Sequence, residues 1–126
     1  VPMTARWTEV ENGKNGKNSA NFELKLAAGG FQIDPDDGNH INLELSIVLR
    51  KNNGDAIPVT VQNLEARLKP QSAAQIRRDG FVYRNKIDID SGDHVVRFIV
   101  RDKLTGRMGS VSAPLTVAQG KVQKGN

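Results

Sequence analysis

The chain has 126 residues, 37% of them hydrophobic and 25% charged, with a formal net charge of +4. That length fits one domain with a core of useful size, and the composition argues against wholesale disorder. Cysteine is absent, which excludes disulfides, zinc–thiolate sites and thiol nucleophiles, and no apolar run is long enough to span a bilayer as a helix. Lysine and arginine are scattered rather than blocked, so the basic balance reads as solvated surface and not as a nucleic-acid face. The chain begins at Val1 without a basic-then-apolar leader, which leads us to expect a processed chain or an excised domain.

Residues 1–10 predict a first strand with Met3, Ala5 and Trp7 on one side. Glu11 to Ser19 lacks apolar residues and is rich in turn formers, which predicts a mobile loop. Its Gly13-Lys14-Asn15-Gly16-Lys17 stretch lacks the spacing of a phosphate-binding loop. Phe22, Leu24 and Leu26 alternate with Glu23 and Lys25 as a half-buried strand does. Gly29-Gly30 interrupts it, and Phe31-Gln32-Ile33 is expected to continue it past a bulge. After the turn Asp34-Pro35-Asp36-Asp37-Gly38-Asn39 comes the cleanest strand, with Ile41, Leu43, Leu45, Ile47 and Leu49 on one face. Asn52-Asn53-Gly54-Asp55 is a hairpin signal, because Asn and Gly accept positive φ.

The partner strand spans about Val59 to Leu68. Its apolar parity switches between Val59/Val61 and Leu64/Ala66/Leu68, which predicts a bulge near Asn63. A short helix is expected over 71–79, capped by Ser72 and ended by Gly80. Two alternating runs follow, Phe81 to Ile89 and His94 to Asp102, read as a hairpin about Ser91-Gly92. After the turn Lys103-Leu104-Thr105-Gly106, a last strand places Val111, Ala113, Leu115 and Val117 on one face, with Pro114 on the other as suits an edge. Seven short strands and one helix predict an all-β, immunoglobulin-like antiparallel β-sandwich over residues 1–118, followed by a polar tail over 119–126.

Several stretches in the second half carry a family likeness. They are Ile76-Arg77-Arg78-Asp79-Gly80-Phe81, the turn Ser91-Gly92-Asp93, the strand His94 to Asp102, and the closing run Leu104-Thr105-Gly106-Arg107-Met108-Gly109-Ser110 into Val117. Together they resemble the C-terminal region of the von Willebrand factor A-related (VWFA-related) proteins of acidobacteria, over about half the chain. Where that family has an aromatic at the start of the penultimate strand, this chain has His94. The Asp-x-Ser-x-Ser metal motif of the A-type domain itself does not occur in this sequence, so that domain's activity is not carried over. The resemblance implies an accessory β-sandwich of a larger exported bacterial protein, in an extracytoplasmic setting.

Asp34, Asp36 and Asp37 form one cluster of oxygen donors and Asp88, Asp90 and Asp93 a second; calcium takes several such ligands, although Asp also dominates ordinary turns. His40 and His94 each open a strand after an acidic turn, and if those strands neighbour each other the imidazoles are expected to approach, as a metal-binding or pH-sensing pair would. On the parity of Val96, Phe98 and Val100, His94 is expected to be a partly buried, hydrogen-bonded side chain. Arg84, Lys86, Arg97 and Arg101 are expected to line one outer sheet face, the best surface for binding. The six aromatics fall mostly on core parity, leaving Trp7 and Tyr83 as the only candidates for an exposed ring platform. No nucleophile elbow or zinc-protease motif is present. The sequence therefore predicts a non-catalytic spacer or protein-interaction module needing no cofactor, monomeric or weakly oligomeric, with a protein partner and no nucleic acid. The alternative is a ligand-binding module using the Asp-rich loops for calcium or the arginine face for an acidic polymer.

Overall fold

A computed structural model describes residues 1–13, 17–51 and 54–118. Seven strands and one helix follow in order: β1 (Met3–Asn12), β2 (Asn18–Leu26), β3 (His40–Arg50), β4 (Ala56–Arg67), α1 (Pro70–Asp79), β5 (Phe81–Ile89), β6 (Gly92–Asp102) and β7 (Met108–Val117). They form two antiparallel sheets, β1-β2-β5 and β4-β3-β6-β7, which is an immunoglobulin-like sandwich with the fourth strand on the side of β3.

Each sheet turns its apolar parity inward. Phe22, Leu24 and Leu26 from one sheet meet Leu43, Leu45, Ile47, Val96, Phe98 and Val100 from the other, all essentially without solvent contact. The rings of Phe22 and Phe98 lie 5.0 Å apart across the gap, and Trp7 packs 5.7 Å from Phe98. Such tilted pairs contribute beyond the area they bury. Trp7 and Tyr83 therefore belong to the core and form no exposed platform.

Hydrogen bonds close both long sides. Trp7 Nε1 donates to the Pro114 carbonyl at 3.1 Å, and the Val1 ammonium donates to the Met108 carbonyl at 3.1 Å. On the opposite side the Tyr83 hydroxyl donates to Gln62 Oε1, and Asn85 Nδ2 donates to the same oxygen at 3.2 Å. The polar Gln62 thus occupies an inward position of an edge strand because it bridges the sheets.

Five details differ from the sequence reading. The hairpin expected at Ser91-Gly92 is a crossing between sheets, since β5 pairs with β2 and β6 with β3 and β7. The bulge of β4 lies at Val59, which the register skips between Ile47↔Thr60 and Val48↔Pro58, and not at Asn63. Val61 points outward and Gln62 inward, so apolar parity misplaced it. Phe31-Gln32-Ile33 is irregular backbone leading to a 3-10 turn at Pro35–Asp37, with Phe31 buried. The helix N-cap is Lys69, which makes no side-chain cap bond, and Pro70 takes the first helical position in place of a Ser72 cap; proline needs no partner for an N–H there. Finally, strand continues to Asn12 and resumes at Asn18, so both ends of the predicted 11–19 loop are hairpin, while residues 14–16 lie outside the described residues. Of the Asn52–Asp55 turn, Gly54 takes φ 91° and residues 52 and 53 lie outside them, as does the predicted tail.

Gly80 joins α1 to β5 at φ 89° and ψ −179°, a region nearly restricted to glycine. A Cβ there would lie 2.5 Å from the Leu26 carbonyl oxygen. Gly80→Ala is expected to cost at least about 1–3 kcal/mol, read as a lower urea midpoint at unchanged slope. Phe98→Ala removes the ring shared by Phe22 and Trp7 and is expected to cost about 3–5 kcal/mol in the same assay.

Candidate functional site

The two outer sheet faces use their charges differently. On the three-stranded sheet, Arg6, Glu23 and Arg84 stand in one row across β1, β2 and β5. Arg6 Nε lies 3.0 Å and Arg84 Nη2 2.9 Å from the Glu23 carboxylate. The Glu23 side chain is only 13% exposed. Hydrogen bonding from Arg6, against the opposing cost of burial, and with further help from the charges of Arg6 and Arg84, holds its carboxyl below the ordinary glutamate value of 4.5. Arg84 is thereby committed to an internal carboxylate.

The outer face of the four-stranded sheet is different. One row across it runs Val61, Ser46, Ile99, Ser110, and the next runs Pro58, Val48, Arg97, Ser112. Arg101 stands opposite Glu44 and Arg50 opposite Val95. Val61 is 61% exposed and Met108 59%, while Val48 and Ile99 on the central strands are half-buried. Arg97 donates to Ser110 Oγ at 3.0 Å. Among the described residues neither Arg50, Arg97 nor Arg101 makes an ion pair. A shallow depression of about 350 Å³ lies between Arg97, Ile99, Met108 and Ser110.

The predicted basic stripe is thus divided. Arg84 and Lys86 lie on β5 and Arg97 and Arg101 on β6, in separate sheets whose outer faces point away from each other. Chain adjacency suggested a single face, but the crossing at Ser91-Gly92 separates the two pairs.

The acidic loops are occupied by local bonds. Asp34 accepts from the Asp36 N–H at 3.0 Å and Asp37 accepts from Arg67 at 3.1 Å. Asp93 accepts from Thr116 Oγ1 at 2.8 Å, whereas Asp88 and Asp90 are exposed beside it in sequence. Among the described residues no three His, Cys, Asp or Glu side chains gather as a metal site would require. The histidines do not meet. β3 and β6 are antiparallel, with Arg50 opposite Val95, so His40 and His94 lie at opposite ends of the sandwich, roughly 35 Å apart at the rise of a strand. His40 sits between Asp37 at 3.2 Å and Glu65 at 2.7 Å. His94 is buried and its Nε2 lies 2.8 Å from the Asp90 carbonyl oxygen. A carbonyl only accepts, so Nε2 carries the proton. This bond links the start of β6 to the backbone four residues upstream, the task that a tyrosine performs at the corner of many immunoglobulin-like domains.

No family model matches the chain, and no curated protein does. Among solved structures it is similar to that of a "putative beta-galactosidase" from Bacteroides fragilis, with a TM-score of 0.53 and 15% identity. The likeness covers 91% of this chain and 16% of that one. It shows the fold alone: the chain spans about a sixth of the length of the structure it matches.

Sequence reasoning passed over Asp102. It is wholly buried at the end of β6, and its carboxylate accepts from the Gln32 N–H at 2.8 Å and the Leu104 N–H at 3.0 Å. The signal was there, because Asp102 continues the inward parity of Val96, Phe98 and Val100. It also passed over Arg6, whose pairing needs the register of β1 on β2.

Because the carboxyl of Glu23 titrates below its ordinary value in the folded state, its contribution to stability is present above about 4.5 and is lost as pH falls through the lowered folded value. Glu23→Gln is therefore expected to lower Tm near neutrality, and the difference from the parent is expected to close on acidification. Thermal melts between about pH 2 and pH 7 at low salt check this; a difference independent of pH contradicts it.

Proposed function

We propose that this chain is a non-catalytic accessory module of a larger exported bacterial protein, and that it docks through the outer face of its four-stranded sheet onto an acidic neighbouring domain. One observation carries the reading: an aliphatic centre of Val48, Val61 and Ile99 is flanked by Arg50, Arg97 and Arg101, with Glu44 as the counter-charge within those rows. Aliphatic side chains interleaved with arginine suit a protein surface carrying carboxylates around an apolar patch. Sugar or single-stranded nucleic acid would be better served by exposed rings, and Trp7, Phe22 and Phe98 are spent on the core. On the other outer face both arginines of the Arg6–Glu23–Arg84 row are already engaged by a carboxylate.

Two further points support the module reading. The fold aligns with a sixth of a much longer chain, so a unit of this size and shape occurs inside larger proteins. The resemblance of residues 64–117 to VWFA-related C-terminal regions agrees with export.

The absence of cysteine makes a direct test simple. Val61→Cys and, as a control on the other face, Lys25→Cys each place the only thiol within this chain, and labelling is read at that residue by peptide mapping. In the full-length gene product Val61→Cys is expected to react with a maleimide at least about tenfold more slowly than in the isolated chain, a protection of about 1.4 kcal/mol. Lys25→Cys is expected to react equally in both. Equal rates at Val61→Cys in both settings contradict the docking face.

A further inference from the structure

A cavity of about 300 Å³ opens at the end of the sandwich that carries α1, lined by Phe31, Gln32, Ile33, Ile76, Arg77 and Arg107, with Gly29 at its rim. Arg77 comes from the last turn of α1, whereas Arg107 comes from the β6–β7 turn. The two are 30 residues apart in sequence and meet only through the fold.

Both guanidiniums are held by neutral acceptors. Arg77 Nη2 donates to Asn39 Oδ1 at 3.3 Å and Arg107 Nε donates to Thr105 Oγ1 at 3.4 Å. Arg6, Arg67, Arg78 and Arg84 each rest on a carboxylate. Among the described residues Arg77 and Arg107 form no ion pair, and no carboxylate lines the cavity. Two like charges left facing one cavity repel, and an oxyanion between them relieves that repulsion while filling their remaining N–H groups.

The walls are fixed from below. Asp102, wholly buried, accepts from the N–H of Gln32, a lining residue, and from the N–H of Leu104 in the turn that leads to Arg107. Its carbonyl accepts from Thr105 and Gly106, so the turn that carries Arg107 is set by the same residue. The Asp102 side chain is engaged by two backbone donors, has no solvent contact and does not line the cavity. Phe31, Ile33 and Ile76 add an apolar wall beside the two cations. The volume lies at the small end of ligand pockets.

We infer that this cavity binds a small organic oxyanion, a carboxylate or phosphate monoester with a short apolar part, held between Arg77 and Arg107 with its apolar part against Phe31, Ile33 and Ile76. The cavity shares no lining residue with the depression on the docking face and does not rest on that reading.

The test is an amide-resolved NMR titration of the chain with inorganic phosphate, phenyl phosphate and benzoate at low salt. Saturable shifts confined to Gly29, Gln32, Ile33, Arg77 and Arg107 are expected, with phenyl phosphate binding at least about threefold more tightly than inorganic phosphate. The double variant Arg77→Gln/Arg107→Gln is expected to weaken binding at least about tenfold, while Arg97→Gln on the sheet face leaves it unchanged. An unaltered Tm in the double variant separates loss of the site from loss of the fold. Shifts that do not saturate, or that persist in the double variant, overturn the site. Equal affinity for phenyl phosphate and inorganic phosphate overturns the organic ligand and leaves a free-anion site.

Discussion

The contact between Phe22 and Phe98, ring centroids 5.0 Å apart at the middle of the sandwich, is the constraint from which the rest of the arrangement follows. Each ring belongs to a central strand of its own sheet. Because side chains alternate along a strand, placing these two face to face dictates which parity of β2 and β6 is inward and, through the registers, which is inward in every neighbour. A shift of one residue in either strand would bury Glu23 or Arg97 in their place. The core and the two outer faces are therefore a single decision.

The consequence for function lies in how the two outer faces differ. On the three-stranded sheet, Glu23 stands between Arg6 and Arg84 and the row is self-sufficient. On the four-stranded sheet the arginines alternate with aliphatic side chains; Arg97 donates to a serine hydroxyl, and Arg101 stands opposite Glu44 without forming an ion pair. A protein surface that satisfies its own charges has little to gain from a neighbour. One with desolvatable aliphatics and unengaged guanidiniums gains both apolar burial and charge pairing on contact. At the α1 end the same contrast separates Arg77 and Arg107 from the ion-paired Arg67 and Arg78. In this molecule the informative property of an arginine is whether the fold supplies it with a carboxylate.

Buried polar groups mark the joints. Asp102 ties the segment after β2 to the turn after β6, while His94 ties β6 to the start of the β5–β6 crossing. Gln62 and Tyr83 tie the two edge strands. Asp102 and His94 lie inward at ends of a sheet, where backbone donors and acceptors lack strand partners and a side chain satisfies them, whereas Gln62 and Tyr83 bond side chain to side chain. Asp102 and His94 continue the apolar parity of β6, so their burial was legible. Their partners were not, because Gln32 is 70 residues from Asp102 and no periodicity relates the two.

Local alternation by itself determined that the described residues make seven strands, that Gly80 stops the helix, and that His94, Val96, Phe98 and Val100 face inward, because period-two burial and glycine stereochemistry act within a few residues. Only the tertiary structure decided that Ser91-Gly92 is a crossing between sheets, that β4 bulges at Val59, that Arg84 and Arg97 look in opposite directions, and that Arg77 and Arg107 share a cavity. Those outcomes depend on which strand pairs with which, a choice set by the fit of side chains between sheets and by hydrogen bonds between residues far apart in the chain, and alternation alone is the same for every pairing.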